Sequence, residues 1–205
     1  MRVLDELIAG YRRFRAETWP RERARFEDLA SKGQRPHTMV IACSDSRVDP
    51  QMIFSAGPGE LFVLRNVANL VPPYMPDALF HGTSAAVEFG VRVLKVDRIV
   101  VMGHALCGGI RALLEGTPPE AADFVAGWIR IAQRARAVAL RCDDPAQHQE
   151  LAEHEAVRIS LANLMTFPWV TEAVATGRLT LHGAHFGVAT GRLVLVPAEG
   201  PAAPS

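Results

Sequence analysis

Short apolar runs recur along this chain, and several are unbroken, as in strands that are buried on both faces of a sheet. Five runs predict strands, at residues 38–42, 60–65, 98–102, 178–182 and 192–196. The last two flank a short stretch ending in Gly191 that suits a hairpin turn, so this pair should be antiparallel. The other strands are separated by longer segments, which favours parallel crossovers.

Between the strands, apolar residues recur every three or four positions, the spacing of helices with one buried face. Helices are predicted at residues 50–54, 83–94, 110–115, 120–141, about 146–165 and 168–177. Thr83 or Ser84 is expected to cap the second of these helices. The alternation predicts an α/β fold: a mostly parallel central sheet, about four parallel strands plus one antiparallel edge strand, flanked by helices.

A helical arm precedes the first strand and carries an apolar stripe. Its members are Leu4, Leu7, Ile8, Tyr11 and Phe14. Pro20 should interrupt the helix, which should resume at residues 21–30. We expect the arm to cover residues 1–32, an α/β domain 33–196, and a flexible, Pro- and Ala-rich tail 197–205. The sequence leaves open whether the arm packs on its own domain or on a second subunit.

The composition is that of an ordinary globular chain, since 49% of the 205 residues are hydrophobic and 21% are charged. Acidic and basic residues number 22 each, so no strong field points to nucleic acid or to an anionic membrane. No apolar segment approaches the roughly 20 residues of a membrane span, and the N-terminal residues lack the apolar core of a secretory signal. We therefore expect a cytoplasmic protein with neither a nucleic-acid nor a membrane partner.

The strongest chemical signal follows the third predicted strand. His104 and Cys107 lie in the turn between that strand and the next helix, and Cys43 closes the first strand. Ligands in such folds bind beyond the carboxyl ends of the strands, so these side chains should converge there. A catalytic zinc site usually takes three protein ligands and keeps one position open. Three cysteines in the chain argue against a disulfide framework, and we interpret Cys142 as an idle thiol.

Two alternatives compete with this ligand set. An isolated cysteine is usually a small buried hydrophobe, but two of them at strand ends, with a histidine three residues from one, favour a metal. His182 and His185 are rival ligands, also three residues apart. Positions three apart on a strand point to opposite faces, so we interpret both as histidines satisfied by hydrogen bonds.

Asp45 and Arg47 come directly after Cys43 and could lie on one side of an extended segment. A carboxylate beside zinc can bind the metal or hold a metal-bound water, and a guanidinium can fix that carboxylate through a bidentate pair. The alternative is a surface ion pair, which contributes almost nothing to stability. Their closeness to an expected ligand favours the functional interpretation.

Together these motifs resemble the β-class carbonic anhydrases, over about residues 33–196 and in the same order. The matching stretches are CSDSR at 43–47, GELFVLRNVAN at 59–69, SAAVEF at 84–89 and HALCGG at 104–109. Within the family, the chain is more similar to the plant-like type.

The resemblance implies a carbonic anhydrase, a lyase in which zinc-bound hydroxide reversibly hydrates carbon dioxide to bicarbonate and a proton. It implies one Zn²⁺ per chain on Cys43, His104 and Cys107, with Asp45 and Arg47 as catalytic residues beside the metal. The α/β domain is then the zinc-binding catalytic domain. The arm would take part in a homodimer that swaps its N-terminal helices, and whether dimers pair into a homotetramer stays open.

The plant-like resemblance also implies a substrate site. Gln34 matches a substrate-binding glutamine, and Phe62, Val67 and Phe89 match the apolar wall of the carbon dioxide pocket. The backbone N–H of Gly108 is a second candidate for holding the product oxygens. Many relatives carry Tyr at the position of Phe89, so a hydrogen bond from that hydroxyl is absent here.

Two other functions stay open at this point. The same scaffold could hydrolyse carbon disulfide or carbonyl sulfide, and only an assay with each gas distinguishes them. A non-catalytic zinc-binding module would carry a fourth strong ligand or lack Asp45 or Arg47. The sequence shows neither mark, unless Asp45 itself closes the site.

Overall fold

The computed structural model describes residues 2–198 of the chain, without the side chains of residues 2 and 3. It divides into two compact units, one ending at Arg35 and the other beginning at Pro36. Most of the predicted tail, from residue 199 onward, lies outside the described residues. Across the described part, no helix has both the length and the apolar character needed to cross a membrane.

The N-terminal unit is helical throughout most of its length. Helix α1 (Arg2–Arg13) runs into a π-helical segment (Phe14–Thr18) and then into α2 (Trp19–Lys32). The predicted break at Pro20 is wrong, because Pro20 occupies the first turn of α2, where backbone N–H groups have no partner within a helix. The rings of Phe14, Trp19 and Phe26 pack on one another, whereas most of the predicted stripe is exposed.

The second unit is built on a central sheet. Its strands are β1 (Thr38–Cys43), β2 (Leu61–Asn66), β3 (Arg98–His104), β4 (Thr180–Phe186) and β5 (Leu193–Val196). Within the described residues these form a five-stranded sheet in the order β2-β1-β3-β4-β5. All pairs are parallel except β4 with β5, which confirms the predicted fold class and its antiparallel edge.

The fourth strand differs from its prediction at residues 178–182. It begins at Thr180 and continues to Phe186, because Gly183, Ala184 and His185 extend the pairing with β3. These three residues are small or polar, so the apolar pattern does not indicate that the strand continues through them. Pairing with β3 stabilises the strand there nevertheless.

Helices flank the sheet. They are α3 (Pro50–Ile53), α4 (Gly82–Glu88), α5 (Gly108–Glu115), α6 (Val125–Ile129), α7 (Gln133–Ala139), α8 (His148–Leu164) and α9 (Pro168–Ala175). Shorter helical turns occupy Val67–Asn69, Phe89–Leu94, Pro119–Ala121, Arg130–Ala132 and Pro145–Gln147.

Two of the helix predictions need correction. The single helix predicted at 120–141 is split into α6 and α7 by a 3₁₀ turn that ends at Ala132, whose ψ of 18° leaves the helical range. The predicted cap of α4 is also wrong, since its N-cap is His81 and no side chain caps it. Thr83 Oγ1 instead accepts a hydrogen bond from Asn66 Nδ2, at 3.2 Å.

Helix α8 packs closely on β3 and β4 at two glycines. A Cβ atom on Gly103 would come within 2.8 Å of Val157 Cγ2, and one on Gly183 within 2.9 Å of Val157 Cγ1 and 2.5 Å of the Val196 carbonyl oxygen. The two glycines therefore create the space that Val157 fills. This contact fixes the height of α8 above the strand ends.

Replacing Gly183 by Ala should lower the free energy of unfolding by about 1–3 kcal/mol, because the new methyl group collides with backbone as well as with Val157. Gly127→Ala is the matched control. A Cβ on Gly127, inside α6, would meet no atom closer than 4.0 Å, and Ala is favoured over Gly in helices by roughly 0.5–1 kcal/mol. Urea denaturation of both variants measures the difference, and equal effects would contradict the packing described here.

Candidate metal centre

The three predicted ligands come together at one edge of the sheet. Cys43 ends β1, His104 ends β3, and Cys107 lies directly before α5. Their ligating atoms lie within 4.8 Å of one another, and all three residues are buried. The parallel pairing of β1 with β3 brings the two strand ends side by side. The predicted convergence is therefore confirmed, and the cluster could bind a metal ion.

The histidine of the cluster is oriented for a ligand. His104 Nδ1 lies 2.9 Å from the Ala105 carbonyl oxygen. A carbonyl only accepts hydrogen bonds, so Nδ1 carries the proton and Nε2 presents its lone pair. Nε2 is buried and has no hydrogen-bond partner within residues 2–198. Leaving such an atom unpaired costs on the order of 1–3 kcal/mol, a cost that a metal bound at Nε2 would remove.

The spacing of the two sulfurs also fits a metal. Cys43 Sγ and Cys107 Sγ lie 4.0 Å apart, and both thiols are free. Two thiolates on one tetrahedral zinc, with Zn–S bonds near 2.3 Å, are separated by about 3.8 Å. A disulfide would require about 2.05 Å. Two sulfurs and one imidazole nitrogen are a donor set that zinc binds well.

Protons in the cluster are shared between neighbouring groups. A hydrogen bond from the Cys107 thiol to the Cys43 sulfur lowers the pKa of Cys43 to about 4 and raises the pKa of Cys107. Burial disfavours the charged form of His104, but the negative charges of Cys43 and Asp45 and the bond to the Ala105 carbonyl outweigh burial and raise the pKa of His104. One thiol therefore ionises readily next to the imidazole, and a bound cation would favour ionisation of both.

Backbone groups support the two sulfurs. The N–H groups of Asp45 and Ala68 stabilise the Cys43 thiolate, and N–H groups at the start of α5 face Cys107. Ala68 and Leu106 both adopt left-handed conformations, with φ of 64° and 60°. Non-glycine residues rarely adopt this region, and such strain often marks functional sites.

The predicted pair of Asp45 and Arg47 is present beside the cluster. Arg47 Nε lies 2.9 Å from Asp45 Oδ1, and its terminal nitrogen lies 2.7 Å from Oδ2. Asp45 Oδ2 is 4.0 Å from His104 Nε2. The bidentate bond from Arg47 holds the pKa of Asp45 well below its usual range. Arg47 also donates to the Leu106 carbonyl at 3.1 Å, so it ties the carboxylate to the turn that carries Cys107.

Val67 and Gly108 lie close to the ligands. Gly108 is the first residue of α5, and a Cβ on the adjacent Gly109 would come within 2.9 Å of Val67 Cγ1. Trp128 Nε1 donates to the Val67 carbonyl at 2.7 Å and holds this segment in place.

Phe62 and Phe89 lie elsewhere in the same unit. Their ring centroids are 6.0 Å apart. Phe62 pairs with Met39, four residues before Cys43, which places it about 13 Å along the strand from that ligand. Gln34, the remaining predicted substrate residue, belongs to the N-terminal unit and is exposed.

The rival histidines are satisfied by hydrogen bonds, as predicted. His182 Nε2 lies 2.9 Å from Thr180 Oγ1, and His185 Nε2 lies 2.9 Å from Glu153 Oε2. His154 is half-buried, its ring centroid lies 4.5 Å from that of His185, and burial lowers its pKa.

The sequence interpretation missed two residues of α8. Glu153 Oε1 accepts a hydrogen bond from the Cys107 N–H at 2.9 Å, and Gln149 Nε2 donates to the Cys107 carbonyl at 3.1 Å. Two polar residues four positions apart on a helix share one face. That spacing was visible in the sequence, but nothing in it indicated that this face would be buried against Cys107.

Comparison with known proteins points to one family. The family profile described as carbonic anhydrase matches residues 38–193. A carbonic anhydrase of Pseudomonas aeruginosa is 40% identical over 193 residues, which cover 93% of this chain and 86% of the relative.

Solved structures agree with the sequence comparison. The β-carbonic anhydrase CcaA has a TM-score of 0.88 and 33% identity, covering 95% of this chain and 88% of that one. A tetrameric β-carbonic anhydrase of Sordaria macrospora has a TM-score of 0.83 and 27% identity, covering 96% and 98%.

Substituting Cys43 by Ala should abolish metal binding, because it removes one of three converging ligands. Cys142→Ala is the matched control, since Cys142 lies outside the cluster. Elemental analysis after dialysis should find about one metal ion per chain in the wild type and in the control. Full metal occupancy in Cys43→Ala would refute the assignment of this ligand.

Proposed function

This chain belongs to the β-class carbonic anhydrase family and is a carbonic anhydrase, and from that premise we propose that it hydrates carbon dioxide reversibly with one zinc ion held by Cys43, His104 and Cys107. The observation that carries the proposal is the buried Nε2 of His104, which has no partner among the described residues and lies beside two sulfurs at tetrahedral spacing. The product would be bicarbonate and a proton.

The site has the ligand count of a catalytic zinc centre. Within the part of the chain that the structure describes, the cluster contains three metal-ligating residues. Asp45 is the nearest further donor, but Arg47 occupies both of its oxygens. A fourth position is therefore left for water or substrate, which favours catalysis over a closed structural site.

Zinc, when bound, would lower the pKa of water and so supply the nucleophile for carbon dioxide. Asp45 would orient that nucleophile. Because Arg47 keeps the pKa of Asp45 low, the carboxylate remains ionised at neutral pH and can only accept hydrogen bonds. An acceptor fixed 4.0 Å from His104 Nε2 directs a water or hydroxide lone pair toward the carbon of the substrate.

Carbon dioxide is uncharged and weakly polar, so an apolar wall suffices to collect it. Val67 supplies such a surface next to the ligand cysteines. The N–H of Gly108 lies at a helix N-terminus, where backbone donors have no partner within the helix and favour anions. We propose that the Gly108 N–H holds an oxygen of bicarbonate, and Gln34 stays a separate prediction as a substrate-binding residue.

Phe62 and Phe89 suit the substrate site of a second subunit. The strand register puts Phe62 about 13 Å from the level of Cys43 in its own chain. If both rings form the pocket wall that the family resemblance implies, a partner chain must present them. We therefore propose a homodimer, with Leu4, Leu7 and Tyr11 of the exposed arm stripe contributing to the contact. Pairing into tetramers, as in the Sordaria protein, is a further possibility for the assembly.

We also propose a cytoplasmic location. The two ligand cysteines must stay reduced to bind zinc, and the cytosol keeps thiols reduced. Their sulfurs lie close enough that oxidation would compete with metal binding after a small movement.

Asp45→Asn should lower the turnover of carbon dioxide by about 10²-fold while leaving metal content unchanged, because the amide adds a donor where an acceptor is needed. Asp144→Asn, at an exposed helix cap, is the matched control and should hydrate carbon dioxide at the wild-type rate. Stopped-flow assays with carbon dioxide, carbonyl sulfide and carbon disulfide in parallel measure both the effect and the substrate preference.

The pH dependence of this variant is a second readout. Asp45 has a lowered pKa, so it is ionised throughout the range from pH 6 to 9 and its titration lies below that range. The rate should rise above pH 7 in the wild type. Asp45→Asn removes a negative charge close to the cluster, so its midpoint should stay the same or move to lower pH. Unchanged turnover, or a midpoint displaced to higher pH, would remove Asp45 from the proposed role.

Mixed dimers test whether the aromatic wall comes from a partner. Phe89→Asp and Cys43→Ala should each be nearly inactive alone. A heterodimer of the two contains one complete site if Phe89 acts across the interface, so co-expression with separate tags should restore about half of the wild-type activity per dimer. Cys43→Ala mixed with His104→Ala is the control that cannot recover. A heterodimer as inactive as its parents would show that Phe89 acts within its own chain.

A further inference from the structure

The peptide groups of one metal ligand are held by two side chains of a single helix. The Cys107 N–H donates to Glu153 Oε1 at 2.9 Å, and Gln149 Nε2 donates to the Cys107 carbonyl at 3.1 Å. Gln149 Nε2 also lies 2.7 Å from Glu153 Oε1, so the two side chains are joined to each other. The N–H and the carbonyl of Cys107 are thus both contacted from α8, and the carbonyl also accepts from the Arg111 N–H of α5 at 2.9 Å.

The turn that carries Cys107 needs such support. Leu106 has a φ of 60°, in the left-handed region that residues other than glycine rarely adopt. Within residues 2–198 the Cys107 side chain makes no capping hydrogen bond at the start of α5, and the bonding of this segment to β4 ends with the Ala105 N–H, which donates to the Phe186 carbonyl at 2.9 Å. Helix α5 holds the Cys107 carbonyl through the Arg111 N–H, but the Cys107 N–H on the other side of the residue is held by Glu153 of α8, so the direction of the sulfur depends on that contact as well.

Glu153 is itself held in place. The residue is 3% exposed, and its second oxygen lies 2.9 Å from His185 Nε2. Helix α8 sits close to the strands because Gly103 and Gly183 leave room for Val157, one turn further along. A buried carboxylate is costly unless it is fully paired, and apolar side chains often serve stability as well or better. A carboxylate buried at position 153 is therefore better explained by the hydrogen bonds it makes than by packing of the core.

We propose that Glu153 and Gln149 are positioning residues for Cys107, which aim its sulfur at the metal without touching the metal themselves. His185 supports this arrangement by bonding to Oε2 of Glu153, the carboxylate oxygen that does not contact Cys107. This inference rests on the zinc site proposed above. It explains why the α8 face that meets this turn is polar although it is buried.

The test compares the rate at which zinc-loaded protein loses its metal to a chelator. Glu153→Ala should release zinc about 10–100-fold faster than the wild type, the usual effect of removing a group that orients a ligand. Glu153→Gln should stay within a few-fold of the wild type, because an amide oxygen still accepts from the Cys107 N–H. Gln149→Ala should show an intermediate acceleration.

Glu155→Ala is the matched control. Glu155 lies two residues along the same helix, is 4% exposed, and pairs with Arg134 and Arg158 rather than with the metal turn. Its removal should lower thermal stability but leave zinc release unchanged. The thiolate-to-metal absorption of cobalt-loaded protein gives an independent readout, which should change in Glu153→Ala and not in Glu155→Ala.

The outcomes separate this inference from the proposed function. A wild-type protein that binds no zinc would overturn the metal site and this inference with it. A wild type that holds zinc, with Glu153→Ala releasing it equally slowly, would overturn only the positioning role. Equal acceleration in Glu153→Ala and Glu155→Ala would also overturn it, since the effect would then be general destabilisation. If Glu153→Ala fails to fold, the rate of zinc release from Gln149→Ala is the deciding measurement. A rate equal to that of the wild type would contradict the proposal.

Discussion

The meeting of two cysteine sulfurs and one buried histidine nitrogen is the constraint on which the rest of the site depends. Cys43 and Cys107 share a hydrogen bond between sulfurs 4.0 Å apart, and His104 Nε2 has no partner within the described residues. A divalent cation would satisfy all three groups at once, and two thiolates with one neutral imidazole suit zinc. The fold creates this meeting point by pairing β1 and β3 in parallel, so that their carboxyl ends carry two ligands side by side.

The third ligand depends on contacts from three directions. Arg47 donates to the Leu106 carbonyl on one side, the Ala105 N–H donates to the Phe186 carbonyl at the end of β4, and Glu153 accepts from Cys107 on the other side. These contacts hold a left-handed residue in a turn that would otherwise relax. Since Arg47 also fixes Asp45, the group proposed to orient the nucleophile and the turn that carries a ligand share one support.

Much of this arrangement could be predicted from the sequence, because it depends on local patterns. Apolar runs indicated the strands, and the fold class followed from their alternation with helices. The positions of Cys43 and His104 at strand ends then predicted their convergence. The role of Glu153 could not be predicted, since its partner lies 46 residues away and only packing brings them together. The end of β4 was predicted wrongly for a related reason. Glycine has a low strand propensity, and Gly183 belongs to the strand because it leaves room for Val157, a contact that the local sequence does not show.

Titration of metal-free protein with zinc, followed by stopped-flow carbon dioxide hydration at each step, tests the central claim most directly. The account predicts that activity rises linearly and reaches its plateau at one zinc per chain. A plateau at a clearly different stoichiometry, or zinc-loaded protein that does not accelerate hydration at alkaline pH, would contradict it.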